Sequence, residues 1–190
     1  MTKLVLPGLP ALLSEAADAA HTFVAAARAP VRAMIVGEEG RIDRRLADIE
    51  QHAVHGFGWY ASYAEMLREV AAWAATLDAE GQFSEIEALL AQLLFAEYGA
   101  HLRGGIAMNQ GETIRPADLG GDASALENAA LGLLIREGGT QAVKTAIARH
   151  LAEARGKATL ENDGLDETLN MVRDQFFAFS RDRIMPHAHQ

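Results

Sequence analysis

Along most of this chain apolar residues return every three or four positions with polar residues between them, the rhythm of helices with one buried face. The first run predicts a helix over residues 9–28, with Leu12, Leu13, Ala16, Ala20, Phe23 and Val24 on its inner face. Pro10 is tolerated in the first turn and Pro30 is expected to stand just past the end. A second, much longer helix is predicted over 42–77, where Leu46, Ile49, Ala53, Phe57, Tyr60, Ala64, Leu67, Ala71 and Ala74 keep the beat. Gly56 and Gly58 fall inside it, each costing about 1 kcal/mol against alanine, so a close backbone crossing is expected there. After a turn around Gly81, Ser84 and Glu87 have the spacing of a capping box. They open a third helix, reaching about residue 102, whose Ile86, Leu89, Leu90, Leu93, Leu94, Ala96 and Tyr98 cover more than half its circumference. So short a turn makes the second and third helices antiparallel neighbours and the expected stable centre of the fold.

Gly104 and Gly105 are expected to end the third helix, and residues 106–121 to form a polar loop carrying Asn109, Gln110, Glu112, Arg115 and Pro116. Ser124 and Glu127 repeat the capping-box spacing before a short helix to residue 136. Gly138 and Gly139 break that helix, and Thr140 caps another running to about 155. Residues 157–165 are polar and contain Gly164, which marks a linker. The expected organisation is therefore a bundle over 1–156, a linker over 157–165 and a separate helical piece over 166–190. The predicted class is all-α: a helical bundle of five or six helices, with a long antiparallel pair at its centre and no sheet.

The last piece reads DETLNMVRDQFFAFSRDRIMPHAHQ. Asp166 is the predicted N-cap, Glu167 adds charge favourable to the dipole, and Leu169, Val172, Phe176, Phe179 and Ile184 form one apolar stripe. Arg181 and Arg183 suit the C-terminal end, and Pro186 is expected to stop the helix. This stripe needs a covering surface, and nothing follows it in this sequence to supply one.

Composition adds limits. Hydrophobic residues make up 49% of the 190 but aromatic residues only 6%, so close helix contacts through alanine should build the core. The net charge of −9 argues against nucleic acid and anionic lipid as partners. Glu87, Gln92, Glu97 and His101 interrupt the apolar run over 86–102, which leaves no membrane span. There is no cysteine, hence no disulfide or thiolate chemistry, and the cytoplasm is the expected location. Residues 1–13 have the outline of a signal peptide, but Glu15 and Asp18 fall where a cleavage site should be small and uncharged.

The final segment resembles the first helix of the acyl-CoA dehydrogenase family, whose members commonly begin with an acidic amphipathic helix, a basic turn and a P-H-A-H-like tail. Residues 42–119 also resemble the helical carboxy-terminal bundle of that family. There a glycine pair follows a helix and approaches the flavin of a neighbouring subunit; here the pair is Gly104 and Gly105, in HLRGGIAMNQGETIRP. The pattern G-G-I-x-M-x-Q-G-E is similar to that of family proteins with an extended amino terminus. The resemblance implies an FAD-dependent parent enzyme that abstracts a proton alpha to a thioester carbonyl and passes a hydride from the beta carbon to the flavin. It implies that this chain is the amino-terminal extension plus the first helix, serving packing, oligomerisation or substrate access. The catalytic glutamate and flavin-binding strands would then follow Gln190. On that reading the chain has no cofactor of its own and is inactive alone. Its partners are the remainder of the fold and further copies in a homo-oligomer.

Read from chemistry alone, the glycine pair either stops a helix or lets a ligand approach. Gln110, Glu112 and Arg115 offer an amide, a carboxylate and a guanidinium, either to anchor an interface or to tie the loop to its own helices. His52 and His55 stand i, i+3 near Glu50, but two ligands make no metal site, and His187 and His189 lie in the tail. No catalytic residue is identified: the chain has no G-x-S-x-G, phosphate loop or dinucleotide motif. The alternative from a different class is a self-contained helical adaptor that binds a protein partner in the groove between the second and third helices.

Overall fold

A computed structural model describes residues 3–154 and 165–188. Among these, seven α-helices and one two-stranded antiparallel sheet follow in the order α1 (Leu9–Ile35), α2 (Arg44–Ile49), α3 (Gln51–Ala79), α4 (Glu85–Gly104), β1 (Ile106–Asn109), β2 (Glu112–Ile114), α5 (Ala129–Glu137), α6 (Gln141–Glu153) and α7 (Glu167–Phe179). The all-α bundle is as expected, with one helix more and one small hairpin.

The extra helix comes from a break in the predicted second helix. Asp43 accepts hydrogen bonds from the Arg45 and Leu46 amides and starts α2. At Glu50 the backbone leaves the helical region (φ −94°, ψ 22°), and α3 begins afresh. The first helix differs in the other direction, because α1 runs through Pro30 to Ile35. A proline inside a helix costs about 3 kcal/mol. Beyond it Val31 and Ile35 are buried, and continuing the apolar face offsets that cost.

The central long pair is α1 with α3, not the expected second and third helices. They run antiparallel: the Phe23 and Tyr60 rings meet edge to face at 5.2 Å, while the start of α1 lies beside Asp78 and Phe83 at the far end of α3. Small side chains line the contact, with Ala16, Ala20 and Ala27 buried on α1 and Ala64, Ala71 and Ala74 on α3. Helix axes can approach closely only where side chains are this short. α4 packs against α3, α5, α6 and α1. Its buried positions are Glu87, Ala88, Leu89, Ala91, Gln92, Phe95, Ala96, Gly99 and Leu102. Leu90 and Leu93, predicted for the core, are half-buried and join Leu89, Val143 and Ile147 in a satellite cluster under α6.

The expected loop after α4 is a hairpin. Ile106 pairs with Ile114 and Ala107 with Thr113, and a bulge follows before Asn109 pairs with Glu112. Both isoleucines are fully buried, and their burial fixes the register. The turn is closed by the Asn109 side chain, which accepts from the Gly111 amide at 3.0 Å.

Two predicted caps are different. Ser84 donates to the Glu87 carboxylate rather than capping the backbone. Residues Ser124–Glu127 form a 3-10 turn, and Asn128 caps α5 by accepting from the Leu131 amide. Thr140 and Asp166 cap α6 and α7 as expected. The chain does not stop at Pro186 directly from an α-helix: α7 widens into a π turn over Ser180–Ile184 and tightens into a 3-10 turn over Met185–His187. The predicted linker, apart from Leu165, and His189 lie outside the described residues.

Candidate functional site

The hairpin, the glycine pair before it and the first turns of α3 gather most of the side chains singled out above. Gly105 receives the end of α4, its amide donating to the His101 carbonyl at 2.8 Å, and turns the chain with φ +117°. A Cβ there would stand 3.0 Å from Thr113 Cγ2, 3.1 Å from Arg115 Cγ and 3.1 Å from the Ile114 carbonyl oxygen. The open side of Gly105 is thus filled by the returning strand. Gly104 has no neighbouring atom within 4 Å of its Cβ position.

The three polar candidates of the loop diverge. Gln110 is exposed at the hairpin tip. Glu112 turns back onto the bundle, with one carboxylate oxygen 3.2 Å from His52 Nδ1 and the other 2.6 Å from Asn109 Nδ2. The bond from His52, followed by that from Asn109, holds its carboxyl below the ordinary range. Arg115 is exposed, and its amide donates to Asp118 Oδ2 at 2.7 Å to start the 3-10 turn Pro116–Leu119. These contacts tie hairpin to helix; no two of these three side chains converge on one reacting position.

Beneath the hairpin lies a pair of residues that no sequence pattern connects. Gly56 on α3 faces Ile114, and a Cβ there would fall 2.3 Å from Ile114 Cγ1. The close approach expected at Gly56 is therefore made by a side chain from the hairpin, whereas Gly58 faces open space. One turn further, Tyr60 is fully buried, its hydroxyl shared between the Leu102 and Ile114 carbonyls at 3.3 and 3.5 Å. Burial first, and then Asp118, raise its pKa well beyond the ordinary phenol range, partly offset by Arg115. It remains a neutral donor at any physiological pH.

The outer seam of α3 and α4 carries a row of rings. Trp59 donates to His55 Nε2 at 3.1 Å, Tyr63 meets Trp59 at 5.9 Å, and Tyr98 meets Tyr63 edge to face at 4.7 Å. The half-buried Trp59, Tyr63 and Tyr98 rings line the seam that the adaptor alternative names as its groove. Among the described residues no three His, Cys, Asp or Glu side chains are grouped to hold a metal ion, and no helix is long and apolar enough to cross a membrane.

Among the described residues, a broad apolar face without a cover lies on α7. None of its residues is buried, and Phe176, Phe177 and Phe179 are 71%, 67% and 57% exposed. Leu169, Val172 and Ile184 are exposed on the same piece. An apolar face of this extent marks a surface that is covered in the working molecule.

Fold and site together define a helical protein with a packed bundle and a terminal helix whose apolar face is exposed, with no three potential metal ligands grouped among the described residues. No family model matches the chain. It is similar to (2S)-methylsuccinyl-CoA dehydrogenase of Cereibacter sphaeroides, with 38% identity over 185 residues. The match takes in 97% of this chain and 33% of that protein, so the chain spans about a third of the length of the curated relative. A relative with this name bears out the acyl-CoA dehydrogenase resemblance read from the sequence.

Proposed function

We propose that this chain is the amino-terminal, non-catalytic portion of a flavin-dependent acyl-CoA dehydrogenase-like oxidoreductase, with residues 1–156 as a helical extension, 157–165 as a linker and 166–190 as the opening helix of the next unit. The observation that carries the reading is the coverage: nearly all of this chain aligns with only a third of a dehydrogenase. The exposed stripe of α7 supports it, since a larger body is needed to cover Phe176 and Phe179. The parent reaction is alpha,beta-dehydrogenation of an acyl-CoA thioester. FAD, supplied by the parent enzyme, would provide the hydride acceptor; of the glycine pair of this chain, Gly105 is backed by Thr113 and Arg115 while Gly104 stands open. The bundle's work is packing, oligomerisation or shaping of substrate access. We place the enzyme in the cytoplasm as a homo-oligomer.

The test is to express the reading frame through and beyond Gln190 and assay (2S)-methylsuccinyl-CoA, the substrate in the relative's name, with an artificial electron acceptor. Acyl-CoA-dependent acceptor reduction by a yellow, flavin-bearing protein is expected. A transcript with a stop codon directly after Gln190, and no dehydrogenase activity when this chain is supplied with its genomic neighbours, would sink the reading.

A further inference from the structure

Apart from the hairpin, two arginines converge where the chain has no side chain at all. Gly132 is buried in the middle of α5. The position its Cβ would take lies 3.3 Å from Arg136 Nη1, 3.4 Å from Arg103 Nη2 and 3.5 Å from Arg103 Nη1. Two guanidinium groups, one from the last turn of α4 and one from the last turn of α5, therefore lie over a single glycine.

Their bonding is unequal. Arg103 is fixed: Nε donates to the Leu126 carbonyl at 2.6 Å and Nη2 to the Asn128 carbonyl at 3.2 Å. Its only carboxylate neighbour among the described residues is Glu127, at 3.6 Å and with a side chain 76% exposed. The nearby Glu15 carboxylate accepts from Asn128 Nδ2 at 2.9 Å. Arg136 is exposed and has no hydrogen-bond or ion-pair partner among the described residues. Arg103 Nη1 likewise donates to no protein acceptor there. Two like charges brought together repel each other, and one solvent-washed carboxylate at 3.6 Å compensates them poorly. A planar fork held rigid by carbonyl bonds, with a second guanidinium alongside, has the donor geometry that suits an oxyanion.

We propose that Arg103 and Arg136 form a binding site for a phosphate dianion over Gly132. A dianion matches two cations where a single carboxylate, already present as Glu127, does not. The ligand is either free phosphate or the 3′-phosphate of coenzyme A; the latter source rests on the dehydrogenase reading, the site itself does not.

The experiment is calorimetric titration of the chain with inorganic phosphate, CoA and dephospho-CoA at constant ionic strength, chloride serving as the reference anion. Saturable phosphate binding is expected, at least tenfold weaker in Arg136→Gln, a surface change that leaves the fold intact by circular dichroism. Glu127→Gln, which removes the competing carboxylate, should tighten it, and Arg28→Gln, at an exposed position of α1 that touches neither arginine, should leave it unchanged. CoA binding more tightly than dephospho-CoA supports the coenzyme as source; equal binding of the two, with phosphate still bound, supports free phosphate. No saturable phosphate binding, or equal losses in Arg136→Gln and Arg28→Gln, overturns the proposal. Neither result bears on the dehydrogenase assay, so the two readings fail separately.

Discussion

At Gly56 and Gly58 the same substitution should have opposite signs. Both lie in the interior of α3, where alanine is favoured over glycine by about 1 kcal/mol of helix propensity. At Gly58 nothing stands within 4 Å of the new methyl group, so Gly58→Ala should stabilise the protein by about 0.5 to 1 kcal/mol. At Gly56 the methyl would sit 2.3 Å from Ile114 Cγ1 on a buried strand, and overpacking of this kind costs about 1–3 kcal/mol. Gly56→Ala should therefore destabilise, and urea midpoints that move the same way for both would refute the placement of the hairpin. Glu112 allows a second test. Its folded carboxyl is held low by His52 first and Asn109 second. Its contribution to stability is therefore complete above the ordinary carboxylate range and is lost as pH falls through the lowered folded value. NMR titration of the side-chain carboxyl should place its midpoint below an ordinary glutamate, and His52→Ala should move it up. An unmoved midpoint would mean that the His52 contact does not form in solution.

Helix by helix, the sequence was informative wherever burial follows a simple period and silent where contacts depend on distant partners. The starts of α6 and α7 were legible because Thr140 and Asp166 cap locally. Asp43 and Asn128 also cap locally but sit inside patterns that read as continuous helix or as a competing Ser124 box. Residues 106–114 read as loop because Asn109, Gln110 and Gly111 dominate so short a stretch; only the buried surface beneath Ile106 and Ile114 makes it a hairpin. For α4 the period was legible but the direction was not, because Leu occupies both faces. The structure turns Leu89 fully inward and leaves Leu90 half-buried under α6. Leu89→Ala should thus cost about 2–5 kcal/mol and Leu90→Ala distinctly less. Chemical denaturation of the two variants measures the difference, and a larger loss at Leu90 would show the helix to be rotated from the orientation described.

For the molecule as a whole the question is whether α7 belongs to the bundle's stability or to what the bundle joins. The main core draws on α1, α3, α4, the hairpin and α5, and α6 adds the satellite cluster around Leu89, Val143 and Ile147; neither includes a residue of α7. The stripe Leu169, Val172, Phe176 and Phe179 was visible in the sequence, since it follows directly from spacing, and so was its need for a cover; in the fold all four side chains are exposed. Removing residues 165–190 takes no buried side chain from the described bundle, so the truncated protein should unfold cooperatively at a urea midpoint close to that of the longer chain. With the stripe present, the longer chain should associate as its concentration rises, because the exposed phenylalanines can shed water only against another surface. Sedimentation velocity on both should show concentration-dependent association for the longer chain and a monomer for the truncated one. Loss of the cooperative transition on truncation would instead make α7 part of the core, and the division at 157–165 would fall with it.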